Sequence, residues 1–196
     1  MARNPRAPPA EITGVYGALI KRLTRKRFGD VPDGIGVMWH NRRVLKTSMA
    51  TGQKTARWKE CDESLKHFDH MAVASQVGCS FCLDLAYFHA QYKGLDVAKA
   101  RELPRWRESD LFSPLERDVL EYAEAMTQTS PTVTDDLSAR LLKKLGAPGM
   151  VELTAFIGLA NQMARTNVAL GIEAQGFSSA CGLAPLAKPS PFTSQA

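Results

Sequence analysis

Strand signals are nearly absent from these 196 residues, and so are long apolar runs. The segment "LTAFIGLANQMA" stops short of the roughly 18 uninterrupted residues that a membrane span needs, so no membrane partner is expected. The opening "MARNPRAPPA" lacks a long apolar core, which argues against a secretory signal and for a soluble, cytoplasmic protein. Cysteine is scarce. The four present, Cys61, Cys79, Cys82 and Cys181, are too few for a disulfide scaffold in a chain of this length. No Rossmann glycine pattern or other nucleotide-binding motif occurs, so neither flavin nor nicotinamide is expected and no cofactor is assigned. What is present is ordinary globular composition, 44% apolar and 23% charged, which fits one compact domain.

Lys and Arg number 25 against 20 Asp and Glu, a net charge of +5. Much of the excess lies in "KRLTRKRF", residues 21–28. A basic cluster can bind phosphate backbones. This one has no interleaved aromatic platform and no DNA-reading motif, so it reads as the solvated face of a helix and predicts no nucleic-acid partner.

Apolar residues recur at spacings of three and four, the period of helices. "EITGVYGALIKRL" sets Ile12, Val15, Leu19 and Leu23 on one stripe, and "GDVPDG" then punctuates the chain. "DESLKHFDHMAVASQV" predicts a helix capped by Asp62, with Leu65, Phe68, Met71, Ala72 and Ser75 on one face and Gly78 as its end. A further helix runs from the cysteines to Gly94, and a short one ends before Pro104. Ser113, Pro114 and Glu116 spell a capping box; Thr134 and Gly146 bracket another helix. The segment "APGMVELTAFIGLANQMARTNVALGI" is apolar on most sides and predicts a central buried helix. Its polar residues Asn161, Arg165 and Asn167 must find partners, by structural hydrogen bonding or at a pocket. Trp39, Trp58 and Trp106 read as core or interface aromatics. The tail "LAPLAKPSPFTSQA" is rich in Pro and Ser and predicts extended chain. The fold class is an all-α bundle.

The chemistry concentrates in "SQVGCSFCLDLAYFHA", residues 75–90. If Gly78 ends one helix and Cys79 begins the next, Cys79 and Cys82 share a face one turn apart. Unpaired amides and the positive dipole end at a helix start favour thiolate, which makes a cysteine nucleophilic near neutral pH. A bare C-x-x-C fits a redox pair, half of a zinc site, or two small hydrophobes. Zinc would need two further ligands, for which only Cys61, His67 and His70 are candidates, at spacing unlike a paired C-x-x-C site. Asp84 reads as a surface or first-turn charge. Glu60 and Glu63 could bring a carboxylate from the start of the upstream helix.

The wording "SQVGCSFCLDL" resembles the motif of the carboxymuconolactone decarboxylase / alkylhydroperoxidase D superfamily. "FSPLERDVLEYAEAMTQT", "MVELTAFIGLANQMARTNVALGI" and "EAQGFS" look like its second half, so the resemblance spans about residues 36–178. The implied organisation is an N-terminal helix and linker over residues 1–35, an alkylhydroperoxidase D-like helical domain over 36–178, and a Pro/Ser-rich tail over 179–196. The resemblance implies an oligomer (a trimer, or dimers and hexamers of the unit) and thiol peroxidase or disulfide reductase chemistry. It assigns Cys82 as the reactive thiol and Cys79 as the resolving one. The partners so implied are a small hydroperoxide or thiol/disulfide substrate and a protein reductant that the sequence does not identify.

Two departures stand out. The family's peroxidases carry Glu twelve residues before the first cysteine, where this chain has His67, and His four residues after the second, where it has Ala86. An imidazole at position 67 can still accept a proton. His70 and His89 are the other candidates for a proton relay, although His89 lies about 10 Å along the helix from Cys82. The rival functions are a decarboxylase-type lyase, a branch that generally lacks the C-x-x-C, and a non-enzymatic helical oligomer that has lost the relay.

Overall fold

The computed structural model describes residues 5–188. Within them lie nine α-helices and no strand: α1 (Gly14–Phe28), α2 (Asp33–Trp39), α3 (Arg42–Thr55), α4 (Glu63–Val77), α5 (Ser80–Tyr92), α6 (Val97–Glu102), α7 (Pro114–Thr127), α8 (Asp135–Leu170) and α9 (Phe177–Ala180). A 3-10 segment, Leu103–Glu108, follows α6. The all-α expectation holds.

The helix signals translate into caps. Asp62 accepts the Ser64 amide, Ser113 and Glu116 close the capping box, and Thr134 accepts the Leu137 amide. Gly78 ends α4 in the left-handed region, with φ 76° and ψ 28°, which turns the chain into α5. Gly146, at φ 68° and ψ 170°, breaks α8 just before Pro148, so the two helices read on either side of it are both present.

α4 is the hub, packed on α5, α7 and α8. Phe68, Met71, Val73 and Ala74 are almost completely shielded, together with Leu120, Leu153 and Ile157 from α7 and α8. Trp106 and Trp39 are buried as expected, while Trp58 is half-buried. α4 also enters a buried ion pair. Lys66 Nζ meets Glu152 Oε1 at 2.5 Å and donates to the Trp58 carbonyl, and Glu152 accepts the amides of Glu60 and Cys61. Those extra hydrogen bonds offset the cost of burying two charges.

Two expectations need correction. Val15, Leu19 and Leu23 face solvent, at 91%, 52% and 56% exposure, and α1 instead buries Gly17 and Ile20. The reason is close approach: a side chain at Gly17 would meet Ile12 and the Trp39 ring at 2.9 and 3.2 Å, so this glycine face seats the helix. Ile12, Ile20, Trp39 and Leu45 form their own cluster, which binds α1 to α2 and α3. The C-terminal half of α8 is not buried all round either. Val151, Met163 and Val168 are exposed because α4, α5 and α7 occupy only one side of the helix. Of the Pro/Ser-rich tail, the start runs extended and is held where the Ala187 amide donates to the Arg101 carbonyl. Residues 189–196 lie outside the described residues, as do residues 1–4 of the opening segment.

Candidate functional site

The Gly78 turn sets Cys79 as the N-cap of α5, with its Sγ accepting the Cys82 amide at 3.2 Å. Cys82 is therefore the third residue of the helix, one turn on. The two are joined as a disulfide with Cα atoms 5.3 Å apart. Both are buried, Cys79 completely and Cys82 at 2% exposure. From α8, Asn167 Nδ2 donates to Cys82 Sγ at 3.3 Å, itself only 3% exposed. Each sulfur thus meets one polarised N–H, from the backbone or from Asn167. In the reduced pair those groups favour thiolate over thiol.

His67, His70 and His89 gather where α4 and α5 pack antiparallel. His67 is buried beside the Ala86 backbone, at the level of the residue four places past Cys82, or about 6 Å along the axis. The two departures from the family pattern therefore face each other: imidazole stands against alanine where the relay would put carboxylate against imidazole. Burial, followed by the charges of His70 and Lys93, pushes His67 down to about 4, and hydrogen bonding to the Ala86 backbone only partly opposes this. Burial and Lys93 take His70 to about 4; burial, then Arg27, take His89 to about 3. All three are neutral bases at pH 7. Nε2 of His67 and Nε2 of His89 are buried with no hydrogen-bond partner among the described residues. Phe28, the last residue of α1, lies against the His89 ring at 5.7 Å.

These depressed values carry a stability consequence. The unfolded imidazoles, near 6.5, bind protons that the folded ones refuse, so their contribution is complete above about pH 6.5. It is lost as pH falls through about 4 for His67 and His70, and about 3 for His89. Urea midpoints should therefore drop steadily as pH falls from 6.5 to 5. A flat profile over that interval would show that the imidazoles are hydrated.

Asp84, read as a surface or first-turn charge, is buried at 6% exposure and works as an anchor. Its carboxylate accepts the amides of Gln175, Gly176, Phe177 and Ser178 and the Ser178 hydroxyl, at 2.7–3.1 Å. Burial alone would raise its pKa, but these donors outweigh it and hold the carboxyl below the ordinary value. Ser80 adds a second tie by accepting the Ala174 amide. Of the upstream acids, Glu63 is exposed and paired with Lys93, and Glu60 offers its amide to Glu152. Burial, with Asp69 nearby, pushes Cys61 up to about 11, which leaves it an unreactive thiol. Cys181 is half-buried. Among the described residues no cluster of three or more His, Cys, Asp or Glu is placed to hold a metal.

No family model matches the chain. It is 36% identical over 157 residues to YnjA, an uncharacterized protein of Escherichia coli K12, covering 79% of this chain and 85% of YnjA. The fold recurs in the debrominase Bmp8, solved with 2,3,4-tribromopyrrole, with TM-score 0.78, 18% identity and coverage of 92% and 97% of the two chains. It also recurs in an alkylhydroperoxidase AhpD core protein, an uncharacterized peroxidase-related protein of Ralstonia eutropha JMP134. There the TM-score is 0.62, with 18% identity and 87% and 94% coverage.

Proposed function

We propose that the chain, which belongs to one family with YnjA and shares its fold with an alkylhydroperoxidase AhpD core protein, is an alkylhydroperoxidase D-like, thiol-dependent oxidoreductase cycling Cys79 and Cys82 between dithiol and disulfide. The observation that carries this reading is the bonded pair at the start of α5, with an N–H directed at each sulfur. The Cys82 thiolate attacks the terminal oxygen of a hydroperoxide; an S–O bond forms, the O–O bond breaks, and the alkoxide takes a proton to leave as alcohol. Cys79 then displaces water from the sulfenic acid and closes the disulfide. A dithiol reductant returns both thiols and leaves as its own disulfide. Attack on a partner disulfide follows the same course without the sulfenic acid.

His67 is the group proposed to take the Cys82 proton, since it is the imidazole nearest by register and neutral at working pH. With Ala86 where the family has His, the thiolate rests mainly on the helix start, Asn167 and this one base. The peroxidase rate should fall below that of relatives with the full relay. His67→Ala is expected to move the pH profile of Cys82 alkylation upward, and His89→Ala to move it less. An unchanged profile in His67→Ala would remove His67 from the mechanism.

The cycle itself is tested by mass spectrometry of the peptide holding both cysteines. Mild oxidation of reduced protein should remove two hydrogens from it, whereas independent sulfinic acids would show no couple. Oligomerisation is proposed through the exposed side of α8, where Val151 at 69% and Met163 at 45% exposure flank the open Gly158. Light scattering at micromolar concentration should give a multiple of 21.5 kDa; a monomer mass would refute it.

A further inference from the structure

α1 turns outward the apolar row that a helix ordinarily buries. Val15, Leu19 and Leu23 follow one another at i, i+4 and i+8, a row about 12 Å long, and all three are more than half exposed. Arg22 and Lys26 each stand three residues beyond a leucine, so exposed cations alternate with aliphatic side chains along the same face. The row continues onto α3. Tyr16, one turn before Leu19, donates to Met49 Sδ at 3.9 Å, and Lys46 Nζ sits 5.0 Å from the centre of the Tyr16 ring. Arg42 lies over Trp39, which stacks on Tyr16. The two helices thus present one surface of aliphatic groups set among cations.

Neither α1 nor α3 contains an acidic residue. Elsewhere in the fold cations are compensated: Lys66, Lys93, Lys99, Arg107 and Arg140 each pair with a carboxylate. No Lys or Arg of α1 or α3 has such a partner among the described residues. Residues 1–59 hold 13 of the 25 Lys and Arg but 3 of the 20 Asp and Glu, so that end of the chain carries +10 and the remainder −5. Charge divided in this way steers a molecule, this end first, toward an anionic partner.

We infer that α1 and the adjoining edge of α3 form a docking surface for an anionic lipid bilayer, with α1 lying in the plane of the interface. The aliphatic row enters the acyl boundary, and Arg22, Lys26, Arg42 and Lys46 reach the headgroup phosphates. A nucleic acid would use the cations but leave the row of aliphatic side chains in water. No helix is long and apolar enough to cross a membrane, but a helix lying on its surface needs no such span. The surface stands apart from the α8 face proposed as the subunit contact, since neither α1 nor α3 packs substantially on α8. Docking of this kind does not depend on the chemistry of the thiol pair.

Cosedimentation of the full chain with vesicles tests this, using phosphatidylcholine alone and phosphatidylcholine mixed with about 30% phosphatidylglycerol. Wild type should partition onto the anionic vesicles at least about tenfold more strongly, and the preference should collapse between about 0.1 and 0.5 M salt. Arg22→Gln combined with Lys26→Gln should lower the partitioning about 25-fold, or about fivefold for each cation removed from the surface. Leu19→Ser combined with Leu23→Ser leaves the charge unchanged and should still lower it at least about tenfold. Equal partitioning onto the two vesicles, or none onto either, overturns the proposal. A leucine variant that binds as wild type does also overturns it, in favour of a purely ionic surface such as one for nucleic acid. Light scattering in which the leucine variant loses mass relative to wild type would assign the face to a second copy of the chain, and overturns it as well.

Discussion

Cys82→Ser is expected to abolish peroxide- or disulfide-dependent turnover, a loss of about a thousandfold or more, since no other group on α5 can replace the attacking sulfur. Cys79→Ser should behave differently. With the resolving thiol gone, one equivalent of peroxide is consumed and the sulfenic acid stays on Cys82, where dimedone traps it. The asymmetry follows from the site: Cys79 caps the helix and accepts the Cys82 amide, while Cys82 sits one turn in and receives Asn167. Trapping on Cys79 in the reciprocal variant would invert the assignment. Full activity in both variants would instead point to a lyase that does not use the pair.

Asp84→Ala should be the most damaging substitution outside the cysteines, costing about 3 kcal/mol or more in urea unfolding. It leaves four backbone amides and the Ser178 hydroxyl without their acceptor in a site shielded from water. Asp84→Asn keeps one acceptor oxygen and should lose less. Because the folded carboxyl lies below its unfolded pKa, the stability it gives is full above about pH 4 and is lost as pH falls through the folded value. The gap between wild type and Asp84→Ala should therefore narrow in acid. A difference under about 1 kcal/mol at pH 7 would show that water replaces the carboxylate at the start of α9.

The helices were legible because their ends are written in local chemistry. Asp62, Ser113 and Thr134 cap where the sequence placed them, and Gly78 and Gly146 interrupt where their positive φ requires. The thiol pair was legible for the same reason, since a C-x-x-C after a helix-ending glycine has few geometries open to it. The partners of those helices were not. Val15, Leu19 and Leu23 share a helical stripe as read, but which stripe of α1 is buried depends on Trp39, a contact that no local pattern announces. Asp84 failed as a reading because all its donors come from residues 175–178, some ninety positions away. Asn167 is legible as a polar residue in an apolar helix, one that must find a partner. Its target, a sulfur 85 residues earlier, is a product of the packing of α8 on α5.

The sulfur cap of α5 gives the helix a property that an oxygen cap lacks. Ser, Thr, Asp and Asn hold a first turn with an acceptor of fixed strength. Cys79 holds it with an atom that accepts weakly in the disulfide or as a protonated thiol, and more strongly when the resolving thiol is deprotonated. The contact is reciprocal: whatever free energy the Cys82 amide lends to the anion, the anion returns to the first turn. In the proposed cycle, fraying at the start of α5 and ionisation of the reduced Cys79 are then conjugate variables, so the first turn stiffens when that thiol ionises and slackens when the disulfide closes.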